Sequence, residues 1–159
     1  MIVRIICAAI IILSCSLIGI RLSDSLHKRV RSLSALLAAI GHIESCIETI
    51  RMPLNEIYET LAEKNGMVGE FFSKIVPGEN WNKHIDIFDG LSPQDKTIIC
   101  GLSEKLGAYE SERQLDEIKL TKCMLNDELS KAKKDVAENS RVYRSMCFFT
   151  GVVIAVLLV

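Results

Sequence analysis

Two apolar runs bracket a long stretch in which apolar and polar positions recur with helical periods. Residues 5–20, IICAAIIILSCSLIGI, carry no charge, and residues 146–159, MCFFTGVVIAVLLV, carry none either. Between them, residues 22–51 read as a helix continuing out of the first run. Leu33, Leu36, Leu37, Ile40, Ile43, Ile47 and Ile50 recur at steps of one, three and four, and Glu44 and Glu48 lie off that stripe. Pro53 ends this helix and starts the next, which carries Leu54, Ile57 and Leu61 to about Lys64. Asn65-Gly66 marks a turn. A short helix with Val68, Phe71, Phe72 and Ile75 follows and stops at Pro77-Gly78. Trp81, Ile85 and Phe88 predict another short amphipathic helix, closed by Gly90.

Ser92-Pro93-Gln94-Asp95 is a helix start: a serine cap, proline in the first position and acid in the first turn. Ile98, Ile99, Leu102 and Leu106 are the apolar residues of that helix, and Gly107 interrupts it. From about Ala108 no proline or glycine occurs until Gly151. Leu115, Ile118, Leu125, Leu129, Ala132 and Val136 keep a period near 3.5, which predicts one long helix running into the second apolar run. No window reads as a strand pair. The expected architecture is all-α: an antiparallel helical hairpin, or bundle, with small distal helices, flanked by N- and C-terminal transmembrane helices. The domains are residues 1–20 as one span, 21–145 as a helical domain and 146–159 as the second span.

Sixteen helical residues reach about 24 Å, and Ile2, Val3 and a snorkelling Arg4 bring the first run close to a bilayer core of about 30 Å. The alternative is a cleaved signal peptide, and Ile12-Leu13-Ser14-Cys15 resembles a lipoprotein cleavage site with leucine where a smaller residue is usual. The apolar run continues past it to Ile20, which favours an uncleaved anchor. The second run reaches about 21 Å, short for a span, and a buried core helix is its alternative. It has no polar stripe, so it would need cover on every side.

Composition matters only through its segregation. Of 39 charged side chains, 38 lie in residues 21–145. Residues 21–31 and 131–144 each carry a net +3, and residues 32–130 carry −8. Basic residues beside apolar runs mark the cytoplasmic side. The polar domain is therefore expected in the cytoplasm, with both ends in the cell membrane, touching lipid. The acidic middle suits a solvated face or a basic protein partner. The overall net charge of −1 gives no reason to expect nucleic acid.

The six cysteines include no C-x-x-C, and Cys7, Cys15 and Cys147 lie inside the apolar runs. Cys46, Cys100 and Cys123 would sit in a reducing compartment, so disulfides are not expected. His42 and Cys46 share a helix face at i and i+4, two ligands where a structural zinc needs four. No phosphate loop, H-E-x-x-H or G-x-S-x-G occurs. Acid pairs such as Glu110/Glu112 and Asp116/Glu117 belong to a helix expected to be wet, whereas catalytic carboxylates need enclosure. Phe71, Phe72 and Trp81 read as core of the cap rather than as a platform. The sequence predicts no catalytic residue, no metal and no cofactor.

The order of these features resembles the stage III sporulation protein AB family of endospore-forming bacteria. The matching pieces are the amino-terminal anchor, Arg31 with the Leu33/Leu37/Ile40 series, and IESCIETIRMPLNEI, in which Ile43-Glu44, Pro53-Leu54 and Glu56 fit an acidic helix end and a P-L-x-E turn. Leu106-Gly107 with Gln114 resembles the family's L-G…Q run, followed by Leu129, Ala132 and Lys134 and an apolar tail containing Gly151. Met146-Cys147-Phe148 departs from the smaller, glycine-containing opening expected of the last span. The resemblance implies a helical domain similar to the F-type platform proteins of type II secretion and type IV pilus machines. It also implies a place in the mother-cell membrane facing the forespore, in a channel complex. The implied partners are a cytoplasmic secretion-type ATPase and other membrane subunits, with no catalytic activity in this chain. The candidate partner interface lies in the distal cap, residues 53–107, at Pro53, Leu54, Glu56, Glu59, Leu106 and Gly107. A membrane-tethered adaptor or sensor unrelated to sporulation is the alternative role.

Overall fold

The structure is a computed structural model. It describes residues 2–107 and 111–158, with only part of the side chains in the two terminal stretches. The expected helix start at Ala108, Glu110, and the side chains of Arg4, Cys7, Cys15, Arg141, Arg144 and Cys147 lie outside the described residues. All regular structure among the described residues is helical. Helix α1 spans Ile2–Ser45 and passes into a π-helical turn, Cys46–Ile50. Helices α2 (Leu54–Ala62) and α3 (Met67–Lys74) follow, then two single 3₁₀ turns, Trp81–Lys83 and Ile85–Ile87, then α4 (Pro93–Lys105) and α5 (Ser111–Leu158). The chain forms two compact units. One is Arg29–Lys131; the other joins Met1–Lys28 with Ala132–Val159.

Within Arg29–Lys131, α1 and α5 pack along a seam. Leu33, Leu36, Ile40, Ile43 and Ile47 are buried, at alternating steps of three and four. Ile118, Thr121, Leu125 and Glu128 are buried at the same steps on α5. This spacing keeps one stripe of each helix on its partner, and each fully buried Leu or Ile is worth about 1.5–3 kcal/mol. The helices are antiparallel, because Arg29 pairs with Glu128, Glu44 with Lys122 and Glu48 with Lys119. Ile50, expected in the stripe, is 65% exposed. The π turn shifts the register there, and Arg51 reverses the chain with a left-handed φ of 53°.

The small helices close over an aromatic core. Phe71 meets Phe72, Trp81 and Phe88 edge to face, with ring centroids 5.0–5.6 Å apart, and Tyr58 lies 5.1 Å from Phe72. Trp81, Ile85 and Phe88 are buried as their spacing predicts. They are not on an α-helix, however. Asn80 caps a single turn by accepting from the Asn82 N–H, and His84 divides that turn from the next. Gly69 is fixed by a close approach: a Cβ there would lie 1.6 Å from the Lys64 carbonyl oxygen.

Three segments of the unit meet at one guanidinium. Arg29 on α1 donates from Nε and Nη2 to both Asp95 oxygens, at 2.8 and 2.9 Å, and from Nη2 to Glu128 of α5 at 2.9 Å. Asp95 is fully buried and also closes the α4 capping box. It accepts from the Ser92 N–H at 2.8 Å, while its own N–H donates to Ser92 Oγ. Burial pushes the Asp95 carboxyl up, but hydrogen bonds from Arg29 and Ser92 outweigh it and hold the group below its ordinary range. Glu128 is held down by Lys131 first, and then by Arg29 against its burial.

Among the described residues one stretch, Ser23–Ile50, is long and apolar enough to cross a membrane, with hydropathy 1.4. It is neither of the two terminal runs expected to span. Its residues Leu33, Leu36, Ile40 and Ile43 are wholly buried, so its apolar character is already used by the seam. Most side chains of residues 5–20 and 146–159 lie outside the described set.

Asp95→Ala should lower stability by about 2–4 kcal/mol, since it takes from Arg29 two of its three hydrogen bonds and removes a cap; urea unfolding at pH 7 measures this. The folded Asp95 pKa lies below the unfolded value near 3.9, so its contribution is present above that value and is lost as pH falls through the folded pKa. The wild-type midpoint should therefore drop more between pH 6 and pH 3 than that of Asp95→Ala. Gly69→Ala should cost about 1–3 kcal/mol through the overlap with the Lys64 carbonyl, read as a lower thermal midpoint.

Candidate functional site

Helix α2 begins after Pro53, whose φ of −64° and ψ of 148° lead the chain into the first turn. Ile57, Tyr58 and Leu61 face the core. Glu56, Glu59 and Glu63 are exposed on the opposite side at steps of three and four. None of the three has an ion pair among the described residues. Like charges at this spacing repel by a few tenths of a kcal/mol, so the face is negative without internal compensation. Three other carboxylates of the cap do have a lysine partner: Glu70 has Lys74, Glu79 has Lys83 and Asp86 has Lys96.

A groove of about 460 Å³ lies beside α2. Leu54, Leu106 and Gly107 line it with Asn55, Pro77, Gly78, Asn80, Ser103 and Glu104. Gly107 is needed twice over. Its φ of +84° is left-handed, and a Cβ there would stand 3.3 Å from Leu54 Cδ1. Asn80 donates to Glu104 at 3.0 Å across one wall. Ser103 Oγ accepts from the Trp81 N–H and donates to the Cys100 carbonyl, tying α4 to the first 3₁₀ turn. A second depression of about 360 Å³ is lined by Asn55, Glu59, Val76 and Pro77, among others. Asn55 and Pro77 border both, so the two form one continuous surface.

Of the six interface residues read from the sequence, Leu54, Leu106 and Gly107 converge in the groove. Glu59 lines the second depression. Pro53 and Glu56 are exposed and line neither. Sequence reasoning missed Asn80, Ser103 and Glu104, and also Val76, which is 65% exposed. Val76 carried a faint signal, an apolar residue stranded between the end of a periodic run and Pro77-Gly78.

The titratable groups nearby are set for structure. Burial pushes the Tyr58 phenol up to about 12, against a hydrogen bond with Trp81. The Cys100 thiol is raised by burial and then by Glu104. The His42 and Cys46 side chains do come together, with Nε2 and Sγ 3.7 Å apart, and burial followed by Lys64 lowers the imidazole pKa. Cys46, Cys100 and Cys123 are free thiols. Among the described residues no three His, Cys, Asp or Glu side chains are placed to hold a metal ion. The arrangement offers a negative helix face beside an apolar-floored groove with amide and carboxylate walls.

Comparison with curated proteins and with solved structures returns no match. The family model for stage III sporulation protein AB matches residues 4–159, nearly the whole chain. The chain therefore belongs to the stage III sporulation protein AB family, which gives it a sporulation-related role.

Proposed function

We propose that this protein is a non-enzymatic structural platform of a mother-cell sporulation channel, anchored at both ends and docking a cytoplasmic secretion-type ATPase. One observation carries the docking part: the uncompensated Glu56/Glu59/Glu63 face of α2 adjoins a groove floored by Leu54 and Leu106. Such a surface favours a partner element that brings basic side chains together with an apolar anchor.

Several features support the anchoring. The backbone is helical through residues 5–20 and 146–158, and each apolar run has a net +3 flank. In the terminal unit, Leu17, Ile18, Met146, Phe149 and Val153 are each at least 58% exposed. Large apolar side chains in that number fit contact with lipid better than contact with water. A C-terminal run shorter than the bilayer core is accommodated by local thinning. The basic flanks hold the polar unit on the cytoplasmic side.

Two experiments test this reading. Glu56→Lys with Glu59→Lys in the full-length protein should cut co-purification of the ATPase by about tenfold or more with an unchanged melting midpoint, since both side chains are exposed. Unchanged co-purification would move the docking surface elsewhere. Deleting the gene in its host should abolish heat-resistant spores and leave engulfed, undeveloped forespores under the microscope. Normal spores would reject the channel role and leave a membrane-tethered helical adaptor.

A further inference from the structure

The outward faces of α1 and α5, opposite the seam, match each other in a way the unit itself does not use. On α5, Asp116, Leu120, Cys123 and Asp127 lie at steps of four, three and four with Met124 alongside, and all five are exposed. Leu120 is 56% and Met124 45% exposed. On α1, Arg31, Ser34, Ala38 and Ser45 are exposed and Gly41 and His42 half-buried, a low surface with one cation at its start. The lysines beside the α5 face are engaged on the seam side, Lys119 with Glu48 and Lys122 with Glu44. Arg31, Asp116 and Asp127 have no ion pair among the described residues.

We propose that the α5 face of one copy packs on the α1 face of a second copy, with the two helices antiparallel. The register follows from rise per residue. With Leu120 opposite Ala38, Asp127 lies seven residues, about 10.5 Å, to one side, and so does Arg31 on the partner helix. Asp116 lies four residues, about 6 Å, to the other side, opposite the His42 imidazole. Leu120, Cys123 and Met124 then fill the shallow surface left by Ser34 and Ala38, with Gly41 at its edge beside the Lys122 ammonium. The reversed direction sets Asp127 beside Ser45 and Asp116 beside Ser34, with no countercharge. Parallel α5–α5 pairing sets each aspartate against its own copy and costs energy. Copies anchored the same way in one membrane present α1 and α5 to each other antiparallel, as the proposed register requires.

The contact is heterologous, so each copy offers one α5 face and one α1 face, and association closes into a ring or propagates as a row. A single helix pair buries less than a standard interface of about 1,200–2,000 Å². It is therefore weak in dilute solution and effective where a membrane concentrates the copies. This inference does not depend on where the ATPase docks.

The test uses the full-length protein in intact membranes. A short bismaleimide should join Ala38→Cys in one copy to Cys123 of another, giving a band of doubled mass that Cys123→Ser removes. Arg31→Glu or Asp127→Arg alone should reduce that band at least fivefold. The two together should restore it to within twofold, which a folding defect cannot do. Absence of the band, single variants that keep it, or a double variant that fails to restore it at an unchanged melting midpoint each overturn the proposal.

Discussion

The unit Arg29–Lys131 depends on one guanidinium. Arg29 satisfies a fully buried carboxylate on α4 and a nearly buried one on α5, partners 66 and 99 residues away in sequence. Asp95 adds a second duty by capping α4. A buried charge is costly alone and tolerable only when its hydrogen bonds are complete. The capping box, the Gln94 contact with Glu128 and the Lys131 contact on the outer side complete them here. The ion cluster does not add much net stability over an apolar core. Its effect is to fix position: α4 starts where Arg29 stands, and sliding α5 along the seam would take Glu128 away from Arg29 and Gln94.

That arrangement explains which parts of the fold could be read from the sequence. The α1 stripe from Leu33 to Ile47 and the α4 cap at Ser92 were legible, because local periodicity and local capping chemistry determine them. The α5 seam was half legible. Ile118 and Leu125 showed its period, but Thr121 and Glu128 occupy two of its positions. A rule that seeks apolar residues passes over a glutamate whose partner lies on another helix. Trp81, Ile85 and Phe88 showed burial without showing helix type, since a four-three spacing fits one α-helical turn as well as two separate 3₁₀ turns.

The candidate site divides along the same line. Glu56 and Glu59 are outward because the residues between them, Ile57 and Tyr58, are inward, a local fact. Leu54, Leu106 and Gly107 came from family likeness and converge in space only because Gly107 admits Leu54 at close range. Asn80, Ser103 and Glu104 complete the groove through bonds across 22 and 24 residues. No one-dimensional pattern contains those bonds.

The seam has a consequence for synthesis. Glu44 and Lys122, which face each other across it, are separated by 78 residues. At about 5–20 residues per second, the ribosome leaves the α1 stripe without its partner for roughly 4–16 s. During that interval Ser23–Ile50 is an uncovered helix with the hydropathy of a membrane span, emerging directly behind the first apolar run. The basic cluster Arg21, Lys28, Arg29 and Arg31 separates the apolar stripe of that stretch from the uncharged run before it. One of its members, Arg29, later becomes the centre of the folded unit.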